Sequence, residues 1–158
     1  MDQAIKINLL VVEDHTMLRE SMVDYLTVMF PNINLMQSDS LSSTIAQIQM
    51  QAPDIVLLDL HLRDVKGFAA IAAVRQQLPL ATIVVVSGTV DQALLPQMKE
   101  LGADMFVSKS GRRDELASVL SSIISGYGFP NRQAASSATY KKSIPRLSRV
   151  PAKLSLNE

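Results

Sequence analysis

The stretch Asp54-Ile55-Val56-Leu57-Leu58-Asp59 decides the fold. Its apolar residues run without a break between Pro53 and the turn-prone Arg63-Asp64-Val65-Lys66-Gly67, and they are rich in branched side chains. A short run that is apolar at every position, rather than at every second one, predicts a strand buried on both faces. The run ends on a carboxylate, Asp59. In open parallel sheets ligands bind beyond the C-terminal ends of the strands, so every other segment is read for what it sends to that edge.

Upstream, Lys6 to Glu13 reads as a first strand that stops on the carboxylate pair Glu13-Asp14. Leu18, Met22, Tyr25, Leu26 and Met29 then fall at helical spacing, with Pro31-Asn32 as the stop. Ile33 to Gln37 predicts a short second strand. A second helix carries Leu41, Ile45 and Ile48 and is entered through Ser38-Asp39-Ser40, whose side-chain oxygens suit capping.

Downstream, Phe68, Ile71, Val74 or Arg75, and Leu78 mark a third helix that Pro79 terminates. Thr82 to Val86 predicts a fourth strand running into Ser87-Gly88-Thr89. The fourth helix spans about Asp91 to Leu101, but Pro96 has no N–H to donate, so that helix is expected to be kinked or to start late with Pro96 in its first turn. Asp104 to Ser108 gives a fifth strand leading to Lys109. Leu116, Val119 or Leu120, and Ile123 mark the last helix, closed by Gly126.

Strands alternating with helices in this way predict an α/β fold, a doubly wound parallel sheet of five strands with five helices on its two faces. Right-handed crossovers make all the strands point one way. Glu13, Asp14, Asp59, Ser87 and Lys109 then gather along one edge.

Composition narrows the function. The 158 residues include no cysteine, which excludes disulfides and thiolate metal sites, and 47% hydrophobic content is ample for a core. No apolar run approaches the ~20 residues that span a bilayer, and the N-terminus lacks a signal-peptide layout, so a cytoplasmic protein without a membrane partner is expected. The formal charge of zero hides an asymmetry. Residues 1–130 carry 9 Lys and Arg against 14 Asp and Glu, a net of −5, while residues 131–158 carry 6 against 1, a net of +5. A folded domain over 1–128 and a basic linker or tail over 129–158 are expected.

Three carboxylates at one edge repel one another unless a cation neutralises them. Magnesium suits such a site, since it takes oxygen ligands and keeps positions for water and phosphate oxygens; manganese fits similar ligands. Lys109 adds a positive charge and Ser87 a hydroxyl, both suited to a transferred phosphoryl group.

Taken together, Glu13-Asp14, Asp59, Ser87, Phe106 and Lys109, each at its strand end, resemble the functional set of a two-component response regulator receiver domain. The resemblance covers about residues 6–126 and implies the CheY-like sheet order 2-1-3-4-5. It implies that Asp59 accepts a phosphoryl group from a histidine kinase. Magnesium would be held by Glu13, Asp14, Asp59 and the backbone carbonyl of His61, with Lys109 pairing the phosphoryl oxygens. Ser87 and Phe106 would form the switch. No classical enzyme is implied, only self-phosphorylation and self-dephosphorylation chemistry.

Two departures stand out: Arg63 occupies the place of the family's usual proline, and Pro96 interrupts the fourth helix. His61 and Thr89 would lie beside the reacting group, where they could shift the lifetime of the phosphorylated form. His15 reads as a first-turn helix residue, with Glu13 and Asp14 as helix caps that could also bind metal. The run Val12-Glu13-Asp14-His15 with Leu18-Arg19-Glu20, and the ending Gly126-Tyr127-Gly128-Phe129-Pro130, are similar to receivers of the NarL/LuxR type. Those continue through a linker into a helix-turn-helix domain, and Leu154 to Glu158 resembles the start of its first helix. The expectation is a transcription regulator that contacts DNA only through that further domain and forms a homodimer on phosphorylation. Other readings are a stand-alone receiver acting by protein contact or phosphorelay, a receiver sensing a ligand or partner without phosphate, and a metal-dependent phosphohydrolase. The last is disfavoured because His61 stands where the aspartate-nucleophile phosphohydrolases compared carry a second aspartate.

Overall fold

The structure is a computed structural model; it describes residues 6–88, 91–110 and 113–127. The expected boundary at 128, the basic tail 129–158 and Thr89 lie outside the described residues.

The elements follow in the order β1 (Asn8–Val12), α1 (Thr16–Met29), β2 (Asn34–Ser38), α2 (Leu41–Met50), β3 (Ile55–Asp59), α3 (Ala69–Gln77), β4 (Thr82–Ser87), α4 (Leu95–Leu101), β5 (Met105–Ser108) and α5 (Arg113–Tyr127). All strand pairs are parallel, and the sheet order is β2-β1-β3-β4-β5. This is the CheY-like arrangement, with the chain reversing direction across the sheet between β1 and β3.

Side chains alternate across the pleat, and each face of the sheet is covered. On one face Leu9 and Val11, Ile55 and Leu57, and Val84 and Val86 share a core with Leu26 of α1 and Leu120 and Ile123 of α5. On the other, Leu10 and Val12, Val56 and Leu58, and Ile83 and Val85 pack with Ile48 of α2, Ile71 and Val74 of α3 and Met98 of α4. Every residue of β3 and β4 is buried. That double burial is why these strands read as continuous apolar runs.

The boundaries moved where local geometry, not hydrophobic period, decides them. Lys6 is exposed and β1 begins at Asn8; Glu13 continues it by one backbone bond, its N–H donating to Ser38 O at 3.0 Å. Met29, expected in the buried stripe of α1, is 46% exposed, because Leu26 closes the apolar face and Phe30 caps the helix. Of the pair left open in α3, Val74 is the core residue. Pro96 falls in the first turn of α4, preceded by a 3₁₀ turn over Gln92–Leu94 whose first free amide, Ala93 N–H, donates to Asp91 Oδ1 at 3.0 Å. The helix therefore starts late and is not kinked, since a proline in the first turn removes no intrahelical bond. α5 continues through Gly126 to Tyr127, with Gly126 buried, so this glycine does not close the helix as expected.

Candidate functional site

The sheet register brings the strand ends together. Val12 pairs with Leu58 and Asp59 with Val86, so Glu13, one residue beyond β1, stands beside Asp59. Ser87 pairs with Ser108, and the next amide, Lys109 N–H, donates to Ser87 O at 2.7 Å. The two-residue period then sorts the side chains. Glu13, Asp59 and Lys109 continue the odd-numbered rows that face α1 and α5, whereas Ser87 continues the row of Ile83 and Val85 that faces α2, α3 and α4. Phe106 packs on that second face as well, opposite Val85 in the sheet.

Lys109 Nζ lies 2.9 Å from Glu13 Oε1 and 2.9 Å from Asp59 Oδ1. Glu13 and Asp59 are each only 2% exposed. Asp14 joins them: one carboxylate oxygen from each of Glu13, Asp14 and Asp59 lies within 4.8 Å of the others. Three carboxylates against one ammonium leave the cluster short of positive charge. Burial pushes the Glu13 carboxyl above its ordinary 4.5, the hydrogen bond from Lys109 opposes this, and the Asp59 charge adds to it. For Lys109 burial works to lower the ammonium pKa, but the hydrogen bonds to Glu13 and Asp59 outweigh it, and the pKa stands above 10.5. Lys109 is therefore fully charged at neutral pH.

The remaining oxygen, Asp59 Oδ2, is buried and has no hydrogen-bond partner among the described residues. A buried carboxylate oxygen left in this way is costly. It fits a site built for a cation or a bonded group, and the all-oxygen donor set fits a hard divalent ion rather than a soft one.

Around this centre the backbone is held by short-range contacts. His15 is the N-cap of α1, its Nδ1 accepting from Leu18 N–H at 3.3 Å, while Glu13 Oε2 accepts from His15 N–H at 3.1 Å. The cap is thus His15 and not the carboxylates, and His15 is not a first-turn residue. The helix begins at Thr16, and His15 directly before it has the extended backbone a cap requires. Beyond Asp59, His61 N–H donates to Asp59 Oδ1 at 3.2 Å, and the His61 side chain is exposed.

Two residues of this surround were not singled out from the sequence. Arg19 Nη1 donates to Glu13 O at 2.8 Å and its Nε to Gln37 Oε1 at 2.9 Å, fixing the end of β1. Asp64 Oδ1 and Oδ2 accept from Leu41 N–H and Ser42 N–H, both at 2.9 Å. Arg19 sits four residues after His15 on α1, one helical turn on, which is the signal that places it above the same strand end. Asp64 carried no such signal, because its partners are 23 and 22 residues away at the start of α2.

The model of the response regulator receiver domain matches residues 9–121. The chain belongs to this family. The receiver domain is 28% identical over 119 residues to the glycerol metabolism activator of Pseudomonas putida, covering 75% of this chain and 54% of that protein. It is 29% identical over 108 residues to the transcriptional regulatory protein KdpE of Staphylococcus aureus, covering 68% of this chain and 46% of that one. The chain thus spans about half the length of these curated relatives. Among solved structures, a two-component response regulator of the LuxR family from Aurantimonas sp. SI85-9A1 superposes with a TM-score of 0.70 at 23% identity, over 83% of this chain and 95% of that one. Receiver domains are signalling domains of two-component systems and work with histidine kinases. No helix among the described residues is long and apolar enough to cross a membrane.

Proposed function

We propose that this receiver accepts a phosphoryl group on Asp59 from the phosphohistidine of a histidine kinase, with magnesium bound. The observation that carries this reading is the Asp59 carboxylate itself. One oxygen is held by Lys109 and His61 N–H while the other is buried and unpartnered, beside two further carboxylates. Glu13, Asp14, Asp59 and the His61 carbonyl would hold the ion, magnesium or manganese. When bound, the ion would offset the repulsion between the phosphoryl oxygens and the carboxylates.

In the transfer, an Asp59 oxygen bonds to phosphorus as the phosphorus–nitrogen bond of the donor breaks, and the electron pair returns to the imidazole. Lys109, charged and held against Asp59 Oδ1, pairs the oxygens of the transferred group. The acyl phosphate carries about −1.5 to −2, the charge typical of a phosphorylated side chain, where the carboxylate carried one negative charge, at an edge already short of positive charge. Ser87 then donates its hydroxyl to the phosphoryl group, drawing its loop inward, and Phe106 on the same face of the sheet turns into the space released. Hydrolysis of the acyl phosphate resets the switch.

The output is regulation of transcription, supported by the regulatory names and double length of the relatives. DNA is contacted through a helix-turn-helix portion, residues 129–158 act as a basic linker, the protein works in the cytoplasm, and phosphorylation favours a homodimer. The test is incubation with magnesium and a small phosphodonor or beryllofluoride, comparing wild type with Asp59→Asn by intact mass and size exclusion. Wild type alone gains one phosphoryl group and shifts its association state. An unmodified wild type, unresponsive to beryllofluoride, would defeat the reading.

A further inference from the structure

The loop that follows Asp59 is tied to the far side of the acidic site through Asp64. Leu60 and Leu62 anchor it from below, at 7% and 3% exposed, while His61 and Arg63 face outward. Asp64 then reaches across to α2 and takes the amide hydrogens of Leu41 and Ser42 on its two carboxylate oxygens. The third amide of that helix, Ser43 N–H, is taken by Ser40 Oγ at 3.1 Å. The free donors at the start of α2 are therefore shared between its own cap and a residue of the Asp59 loop. A second bridge runs parallel, Arg63 Nη2 to Asp39 Oδ2 at 3.8 Å, but both side chains are exposed and the contact is long.

The start of α2 is itself joined to β1. Thr44 Oγ1 donates to Ser40 O and pairs with Ser38 Oγ, each at 2.8 Å, and Ser38 O accepts the Glu13 N–H at 3.0 Å. A closed ring of contacts thus runs from Glu13 through Ser38, Ser40 and the first amides of α2 to Asp64, and back along the loop through His61 to Asp59. Breaking the ring at Asp64 frees only the loop side, because Glu13 keeps its bonds to Ser38, His15 and Arg19.

We propose that Asp64 is a positioning residue for the metal centre: by holding the first two amides of α2 it sets the loop, and with it the His61 carbonyl, against Glu13 and Asp14. The role rests on the metal-dependent reading above. The two amide bonds also hold the Asp64 carboxyl below its ordinary 3.8, so the clamp is charged at any pH where the site works.

The test compares the full chain with Asp64→Ala, Asp64→Asn and Ser40→Ala. Manganese chloride is titrated by water-proton relaxation, and amide exchange is followed at Leu41 and Ser42. Ser40→Ala removes a cap from the same helix without touching the loop, so it separates helix integrity from loop position. Asp64→Ala is expected to weaken manganese binding about tenfold, the usual effect of losing an outer-sphere support, and to speed exchange at both amides. Asp64→Asn, with one acceptor left and its own N–H₂ facing the second amide, falls between; it serves as the reporter if the alanine variant fails to fold. Ser40→Ala is expected to melt earlier yet bind manganese within about twofold of wild type. Wild-type affinity in both Asp64 variants would overturn the proposal, as would equal weakening by Ser40→Ala. A wild type that binds no manganese would overturn the metal reading itself, and the two failures are thereby distinguished.

Discussion

Lys109 Nζ is 2.9 Å from Asp59 Oδ1, and it lies equally close to Glu13 Oε1, so one ammonium serves two buried carboxylates. The cluster is held together by an ion it has too little of. Without a divalent cation the protein carries an electrostatic cost at the centre of its own site, and several measurable consequences follow from that one fact.

Removing the ammonium should be expensive. Lys109→Met leaves two adjacent buried carboxylates with no countercharge, and breaking a buried pair by deleting one partner costs a few kcal/mol. With 20% of the lysine side chain exposed, a loss of about 2 kcal/mol is expected in metal-free urea unfolding. The domain stays folded, and adding Asp59→Asn to Lys109→Met recovers more than the ~1 kcal/mol that Asp59→Asn gains alone. Additive costs in that cycle would show the two groups to be uncoupled.

Removing the nucleophile should do the opposite. Asp59→Asn deletes one of the crowded charges and replaces the unpartnered oxygen, while its remaining carbonyl oxygen can still accept from Lys109 or His61 N–H. Metal-free stability is expected to rise by about 1 kcal/mol, a shift of roughly 3 °C in melting temperature for a domain of this size. Magnesium at ten times its dissociation constant should stabilise wild type by about 1.4 kcal/mol and the variant far less. A variant less stable than wild type without metal would show that the Asp59 charge is not a burden.

The apolar runs of β1, β3, β4 and β5 were legible because both faces of the sheet are buried, and the polar residues at their ends were legible because almost nothing polar precedes them. The edge shared by Glu13, Asp14, Asp59, Ser87 and Lys109 followed from that alternation and the handedness of the crossovers, whereas the strand order came from the family resemblance alone. The contact between the Asp59 loop and the start of α2 was not legible. Asp64 looks like an ordinary surface charge in the sequence, because its partners are the Leu41 and Ser42 amides, and backbone groups leave no sequence signature. The cap at His15 was hidden for another reason: three adjacent polar residues all qualified, and only the start of α1 at Thr16 chooses among them. Thr89, the linker and the domain boundary lie outside the described residues.

The pH dependence of metal-free stability has a definite sign. Glu13 titrates above 4.5 in the folded state, so between 4.5 and its raised value the native protein binds more protons than the unfolded chain. Stability then falls as pH rises through that window. The effect is isolated as the difference between wild type and Glu13→Gln, which cannot titrate there. That difference should move against wild type from pH 4.5 upward and level off once Glu13 is ionised. Lys109 contributes nothing to this slope, since its pKa is raised above 10.5 and its stabilisation is lost only in strong alkali. A flat difference across the window would mean that Glu13 is not under strain. Magnesium should remove the slope, because the ion replaces the proton.

At the opposite edge of the sheet, stability can be changed without touching this chemistry. Arg75 Nη1 donates to Leu78 O at 2.9 Å and Ala81 O at 2.8 Å, while Nη2 donates to Gly102 O and Asp104 Oδ2, each at 2.7 Å. Asp104 Oδ2 in turn accepts from Ile83 N–H at 2.9 Å, so a single guanidinium joins the end of α3 to the starts of β4 and β5. Lysine cannot reproduce that fork. Arg75→Lys is expected to cost about 2 kcal/mol and Arg75→Ala about 3, because each leaves part-buried acceptors unpaired. Gly102 has φ of +126°, and a Cβ there would lie 2.7 Å from Arg75 Cβ, close to the backbone of the helix rather than its flexible tip. Gly102→Ala therefore combines backbone strain with displacement of the clamp and should cost at least 1–2 kcal/mol. All three variants, measured by urea unfolding, should keep the magnesium affinity of wild type at temperatures where they remain folded. Loss of magnesium binding in folded Arg75→Lys would show that the two edges are energetically coupled through β4 and β5.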